Sequence, residues 1–455
     1  DLERALEQGM VSPNLFQNFA KRKALPCFLQ GMLGNIFNLE TGRLYDENSR
    51  IASCVESIRA IRQICLSFKK IQLPCTPKRE YKALENFINT EIDLSVFTIQ
   101  DDLAKEFSLV SSMLWDTTIH SLSLDSCKPR HGPGATAERI SGNQKFNWRR
   151  WHERLEPYFP IIGSGYLVSE DENRMLQDVE FIPPDKEQPV RVCLVPKTLK
   201  SPRIIAIEPV CMQYTQQGIR SLLYEAIELK GVQKGRVNFT DQSINQRLAM
   251  KASRTGRLAT IDLSDASDRV PRDLALTMFN GNPDLRDAID ACRSTRATVG
   301  GLKTISLSKF ASMGSALCFP VEAMYFYTIC VVALFRSTSL PITYSNLKKL
   351  ARMVYVYGDD IIIPVAYAES VLDYLQKYNC KVNSSKTFCS GRFRESCGID
   401  AYAGHDVTPT YVRRTRPKNR RQATSIISWV STANSFYQRG LWRTAQFMYD
   451  QIERL

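Results

Sequence analysis

The chain has 455 residues and carries 60 Lys and Arg against 47 Asp and Glu, a formal net charge of +13. This length allows two or three lobes around more than one core, and the basic excess favours a polyanionic partner such as a nucleic acid. The 13 cysteines are odd in number, scattered (Cys27, Cys54, Cys127, Cys211, Cys318, Cys380) and never spaced Cys-x-x-Cys, which argues against a disulfide framework and for free thiols in a reducing cytosol.

Residues 1–130 read as mostly helical, for example Ile51–Phe68 with its recurring apolar positions; Pro74 and Pro77 interrupt the region. The chain opens on Asp1 rather than Met, so a processed or missing start is expected. Asp101-Asp102 reads as the polar start of a helix, where carboxylates favour the positive end of the helix dipole. His131-Gly-Pro-Gly134 marks a sharp loop. Lys145-Phe-Asn-Trp-Arg-Arg-Trp-His152 mixes cations with aromatics, which fits either stacking on bases or tryptophans in a core. Val192 to Glu208 reads as two apolar strands around a turn with Lys197, Lys200 and Arg203. Such cations hold a triphosphate or simply face solvent.

Residues 258–263 read as a short strand with Ile261 and Leu263 on one face, so Asp262 projects to the other. Asp265 and Asp268 follow in a polar turn, and Pro271 suits the first turn of a helix through Leu274, Leu276 and Phe279. The small residues of Ser308-Lys-Phe-Ala-Ser-Met-Gly-Ser315 allow close approach of a backbone or sugar, or form an ordinary loop before a helix. The apolar stretch Ala323–Phe335 is too short for a bilayer and is expected to be a buried core helix; no secretory signal or membrane span is expected.

Tyr357-Gly358-Asp359-Asp360 lies inside Met353–Val365, between β-branched and aromatic residues that read as strand, tight turn, strand. Two adjacent carboxylates repel unless they are solvated or neutralised by a cation, and hard oxygen ligands suit Mg²⁺. With Asp262 leaving the end of another strand, the set has the makings of a site for two-metal phosphoryl transfer, where carboxylates from separate strands bracket the ions. Cys380, Cys389, Cys397 and His405 are too irregularly spaced for zinc. Residues 259–410 alternate strands and helices, an αβ core within an expected α+β fold. Arg413, Arg414, Arg416, Lys418, Arg420 and Arg421 form a run without an acidic residue and read as an RNA contact. Ser425–Leu455 reads helical, with Ile427, Val430 and Trp442 among its apolar positions.

In this order the motifs resemble those of the RNA-dependent RNA polymerases of positive-strand RNA viruses, and more narrowly the replicase catalytic (beta) subunit of the leviviruses, the small RNA bacteriophages. The resemblance runs from residue 131 to about 412. It rests on His131-Gly-Pro-Gly-Ala-Thr136, Val195-Pro-Lys197, Ile205-Ala-Ile-Glu-Pro209, Asp241-Gln-Ser-Ile-Asn-Gln-Arg247, Asp262-Leu-Ser264 and Ala266-Ser-Asp268. It continues through Ser312-Met-Gly314, Tyr357-Gly-Asp-Asp-Ile-Ile362, Lys386-Thr-Phe388, Phe393-Arg-Glu-Ser-Cys-Gly398 and Asp406-Val-Thr-Pro409. The Asp241–Arg247 and Phe393–Gly398 strings are the family-specific ones; Tyr-Gly-Asp-Asp is shared widely.

The resemblance implies a right-hand polymerase: an N-terminal helical region and fingers over 1–258, a palm over 259–410, and a basic segment with a reduced helical thumb over 411–455. Family members generally carry a longer C-terminal region. Asp262 and Asp359 are implied as the main ligands of two Mg²⁺ ions, with Asp360 nearby. Asp268 resembles the reader of the ribose 2′-hydroxyl, the group that tells RNA from DNA. Lys197 and Arg203 resemble triphosphate-binding finger residues, Ser312 and Gly314 a loop that positions template and nucleotide, and Lys386 a lysine close to the leaving pyrophosphate. Where the family usually has asparagine after Ser-Met-Gly, Ser315 stands here, a shorter donor and acceptor. The implied partners are RNA template and product, nucleoside triphosphates, and the host elongation factors Tu and Ts with a ribosomal protein, all in the cytoplasm of an infected bacterium, with no membrane. Two rival readings are a reverse transcriptase, which usually places a bulky aromatic where Asp268 stands, and a non-catalytic RNA-binding scaffold with a polymerase-like fold.

Overall fold

The computed structural model describes residues 2–11, 28–45, 47–167, 174, 176–300 and 303–455; Asp1 and Cys27 lie outside them. Helix Glu47–Leu66 covers the expected apolar periodicity. Pro77 then begins helix Pro77–Ser95, a position where its missing N–H leaves no bond unmade. Asp101 and Asp102 occupy the first turn of helix Asp101–His120. None of the twelve described cysteines is joined in a disulfide.

The main core is built around helix Cys318–Thr338, which packs against Asp101–His120, Val210–Leu229 and Ala368–Lys377. Every residue from Val321 to Phe335 is buried. The helix has 21 residues, more than the Ala323–Phe335 stretch suggested, and by length and composition it is long enough to cross a bilayer. The chain's own side chains cover 94% of its most apolar window, so it is a core helix, as expected.

Beside it lies a three-stranded antiparallel sheet with Asp360–Pro364 in the centre, flanked by Leu258–Ile261 and Tyr355–Tyr357. Helix Ser243–Thr255 packs against all three strands. A strand covered on both faces needs apolar residues at consecutive positions, which accounts for the fully buried run Ile361, Ile362, Ile363. The strand read over 258–263 breaks at Asp262: Leu263–Ser264 pairs instead with Lys381–Val382. Asp262 therefore sits at the step between two sheets.

The basic hairpin also forms, with Val190–Val195 antiparallel to Arg203–Ile207 and Val195 opposite Arg203. Arg296–Val299 and Lys303–Ser306 extend this sheet to four strands.

Packing decides two points that the sequence left open. Lys145, Trp148, Trp151 and His152 are buried. The Trp148 ring packs against His131, Trp151 and Tyr214, and the Lys145 ammonium donates to the carbonyls of Gly132 and Gly134 at 2.8 and 2.6 Å. These side chains are core, whereas Phe146, Arg149 and Arg150 of the same stretch are exposed. In the C-terminal helical hairpin, Ala423–Gln438 and Trp442–Glu453, the core stripe is Trp429, Ala433 and Phe436 against Ala445 and Met448. Ile427, Val430 and Trp442 lie off that i, i+4, i+7 stripe and are exposed.

Candidate active site

Strand register gathers the three carboxylates. Ile361 pairs with Ile261 in an antiparallel ladder, so one step further Asp262 comes opposite Asp360. Tyr357 pairs with Asp360, which leaves Gly358-Asp359 as a two-residue loop. Gly358 has φ +60° while Asp359 does not enter the left-handed region, the pattern of a type II′ hairpin turn. A Cβ on Gly358 would lie 2.3 Å from the Phe319 ring, so glycine is required by space as well as by φ.

The three are not equivalent. Asp262 accepts a hydrogen bond from the Asn383 amide at 2.7 Å and lies 3.6 Å from the Lys386 ammonium, which also reaches Glu395 at 3.1 Å. Loss of solvent raises the Asp262 carboxyl to about 6, against the pull of Lys386 and with a further push from the Asp359 charge. Asp359 is likewise raised, by loss of solvent. Asp360 is raised to about 7 by loss of solvent, then by the Asp359 charge. Its carboxylate already accepts from the Ser396 hydroxyl at 3.2 Å and from the Cys397 N–H. Burial opposes the charge on Lys386, but Glu395 and Asp262 outweigh it and raise the lysine above its usual range.

Among the described residues no three His, Cys, Asp or Glu side chains close into a metal cage. The donor set is open, made of hard oxygens that crowd one another out of water. Such a set suits a cation that keeps waters and takes its remaining ligands from a substrate.

Asp359 faces a cavity of about 390 Å³ that also receives Lys197, Arg203, Asp265, Asp268, Met313 and Glu322. Lys197 is an exposed residue, yet loss of solvent, then the Arg203 and Lys386 cations, hold it below the usual lysine range, against the pull of Asp359 and Asp262. Lys200 is not among the lining residues. The Ser312–Gly314 loop is clipped to the same hairpin, where the Ala206 N–H donates to the Met313 carbonyl at 2.8 Å. Gly314 has φ +134°, and a Cβ there would lie 1.9 Å from the Ala206 oxygen. Ser312 is buried, and its hydroxyl has no hydrogen-bond partner among the described residues. The Ser315 hydroxyl donates to Gln216 at 3.1 Å and accepts from the Leu317 N–H at 3.3 Å, so it is engaged at the helix start.

Sequence reasoning missed three contributors. One face of helix Pro77–Ser95 (Ala83, Asn86, Phe87, Thr90) forms a wall of the cavity. Lys309 is completely buried and pairs with Asp268. Glu322, raised well above the usual carboxylate range by burial and then by the Asp359 and Asp268 charges, lines the cavity from the core helix. It is the lone charged residue between Ala316 and Phe335, and that was a signal. The basic run lies elsewhere. Arg413, Arg416, Lys418, Arg420 and Arg421 are exposed and Arg414 is half-buried; none lines the cavity.

A family model described as RNA replicase, beta-chain, matches residues 185–426. The RNA-directed RNA polymerase beta chain of Escherichia phage MS2 is 39% identical over 223 residues, 49% of this chain and 37% of that one. The corresponding beta subunit of Qbeta virus (strain MX1) is 31% identical over 304 residues, 67% of this chain and 48% of that one. The chain spans less than half the length of these curated relatives. A crystal structure of the RNA-dependent RNA polymerase of a human picorbirnavirus superposes with a TM-score of 0.51 at 10% identity, covering 98% of this chain and 89% of that one. The fold is thus α+β and of the right-hand polymerase type.

Proposed function

The chain belongs to the RNA replicase beta-chain family, and we propose that it is the polymerising part of an RNA-directed RNA polymerase that copies a positive-strand RNA phage genome. The observation that carries this reading is the register that brings Asp262 opposite Asp360, beside a turn whose Asp359 faces a cavity with Lys197 and Arg203. Carboxylates and cations brought to one cavity match a triphosphate with its counter-ions.

In this reading the nascent 3′-hydroxyl gives up its proton to water as its oxygen attacks the α-phosphorus of the incoming nucleotide. The new P–O bond forms as the bond to the bridging oxygen breaks, and pyrophosphate leaves. Asp262 and Asp359 would hold divalent cations, two Mg²⁺ ions in the form expected from the sequence, which when bound stabilise charge on the attacking and leaving oxygens. Asp360 shapes the turn through Ser396 and Cys397. Lys197 and Arg203 bind the triphosphate; Lys386 orients Asp262 and sits on the pyrophosphate side. Asp268 accepts from the ribose 2′-hydroxyl, and Ser312 and Gly314 seat template and nucleotide. Arg413, Arg414, Arg416, Lys418, Arg420 and Arg421 contact RNA backbone. Fingers, palm and thumb divide at 1–258, 259–410 and 411–455, with strands at 296–306 returning to the fingers sheet. The protein works in the cytoplasm of an infected bacterium, with elongation factors Tu and Ts and a ribosomal protein as partners.

The test is template-dependent incorporation of labelled ribonucleotides with Mg²⁺, wild type against Asp359→Ala, with and without bacterial extract. Synthesis by wild type that the substitution abolishes supports the reading, and dependence on extract assigns host partners. Equal use of deoxyribonucleotides would favour a reverse transcriptase. RNA binding without synthesis under any condition would favour a scaffold.

A further inference from the structure

We propose that Lys309 and Glu91 are positioning residues for sugar selection: together they fix Asp268 so that one carboxylate oxygen is left for the ribose, and through them helix Pro77–Ser95 takes part in telling ribonucleotides from deoxyribonucleotides. The proposal rests on the polymerase reading above.

A fully buried ammonium is costly unless it is paired on every side. The Lys309 ammonium lies 2.9 Å from Asp268 Oδ1, 3.2 Å from Glu91 Oε2 and 3.7 Å from the centre of the Phe87 ring. Asp268 takes a hydrogen bond from it, Glu91 Oε2 balances its charge as an ion pair without a hydrogen bond, and the Phe87 ring covers its open face. Glu91 is itself buried, and its other oxygen accepts the backbone N–H groups of Ser308 and Lys309. The lysine is therefore held at both its backbone and its tip by one carboxylate from a distant helix.

Asp268 is the only partly exposed member of the trio, and it lines the cavity. Its backbone is set by a turn in which its N–H donates to the Asp265 carbonyl at 3.0 Å. With Oδ1 committed to Lys309, Oδ2 accepts no hydrogen bond among the described residues. A sugar hydroxyl is a donor, and an unpaired carboxylate oxygen on the cavity wall is a matching acceptor. A site built to hydrogen-bond a hydroxyl rejects the analogue lacking it, because the acceptor is then left unpaired. Asn86, Phe87 and Thr90 line the cavity from the same stretch of helix that carries Glu91. A clamp that served stability alone would need Glu91 and Lys309 but not the cavity-facing Asp268.

The experiment compares kcat/KM for a ribonucleoside triphosphate and its 2′-deoxy counterpart, using the full chain on an RNA template under whatever conditions sustain wild-type synthesis. Lys309→Met is expected to lower the ribo-to-deoxy ratio on the order of tenfold, mainly through the ribonucleotide KM, with the deoxynucleotide little changed. Glu91→Gln, which keeps shape and one acceptor, should move the ratio the same way by a few-fold. In an Asp268→Ala background, Lys309→Met should move it no further, as expected for a residue that acts through Asp268. A parallel fall for both nucleotides with the ratio unchanged would overturn the proposal, as would an additive effect in the Asp268→Ala background. If thermal melting shows that Lys309→Met does not fold, Glu91→Gln decides, and an unmoved ratio there overturns the proposal. A wild type that makes no RNA with any template or extract would overturn the polymerase reading and this inference together. Active wild type with an unmoved ratio removes only the inference.

Discussion

Asp262, Asp359 and Asp360 are gathered by strand register and half-buried, whereas the cations of the 413–421 segment are strung along an exposed stretch tied down by its backbone. The Arg413 carbonyl accepts from the Gln72 N–H at 2.6 Å and the Arg414 carbonyl from the Trp429 indole at 2.9 Å, so the main chain is fixed while most of the side chains reach solvent. The two regions differ less in how much charge they hold than in how tightly it is placed. A placed charge acts through one atom and is lost with it. Charges that fan out act by their number, and each contributes a share. Substitutions in the acidic turn should therefore have steep, individual effects, and those in the basic segment graded, collective ones.

The steepest test lies within the acidic turn. Asp359→Asn should lower nucleotide incorporation on the order of 10³-fold, the scale seen when a group aimed at developing charge is removed. Asp360→Asn should lower it only about tenfold, because that carboxylate is already engaged by Ser396 and Cys397 and a neutral amide keeps an acceptor there. Single-turnover incorporation with Mg²⁺ measures both. Equal losses would mean that the two aspartates share one role, and would break the distinction drawn from their partners.

This turn was the most legible part of the sequence, and the reason is physical. A glycine at a left-handed position between β-branched runs is a local signal, and the Gly358-Asp359 loop forms where it was expected. The break at Asp262 was not legible, because it depends on Lys381–Val382, far down the chain. Neither was the Glu91, Lys309 and Asp268 trio, in which three ordinary charged residues are joined only by tertiary packing. Composition left Trp148 and Trp151 ambiguous; the rings of His131 and Tyr214, distant in sequence, decide for the core. The C-terminal hairpin shows how periodicity misleads when several faces are apolar: Trp429, Ala433 and Phe436 face inward and Ile427 outward.

Backbone placement offers a second contrast. At Gly314 a Cβ would meet the Ala206 oxygen at 1.9 Å with φ +134°, whereas at Gly440, φ +77°, it would meet nothing within 4 Å. Gly314→Ala should cost about 3 kcal/mol or more of unfolding free energy. Gly440→Ala should cost about 1 kcal/mol, from backbone conformation alone. Urea unfolding of both variants measures the gap, and similar losses would mean that the Ser312–Gly314 loop yields more easily than its close approach implies.

Behind that loop, Glu208 is buried with the Ser294 hydroxyl donating to it at 2.5 Å. Burial raises its carboxyl from 4.5 to about 7. A raised carboxyl binds its proton more tightly in the folded state, so the stability it contributes is complete below the unfolded value and is lost as pH rises through about 7. Replacing it with a neutral group should flatten that slope. Glu208→Gln is expected to reduce the fall in stability between pH 5 and 8 by about 1–3 kcal/mol. Denaturant midpoints across that range measure it, and an unchanged slope would assign the pH dependence to other groups.

The smallest effects belong to the basic segment. Arg416→Ala, Lys418→Ala and Arg421→Ala should each weaken single-stranded RNA binding only a few-fold, without regard to sequence, and lower the slope of log affinity against log salt by about 0.7 per charge removed. Arg420 donates to the Leu455 carbonyl at 2.7 Å, so its guanidinium is partly held in place. Its loss should move the salt slope by the same charge and leave a small additional defect in the helical hairpin, visible as a lower melting temperature. Filter binding across a salt series separates these outcomes. If one of the four substitutions abolished binding while the others did nothing, the segment would be a placed site like the acidic turn, and the contrast between the two regions would fail where its effects are smallest and most easily averaged.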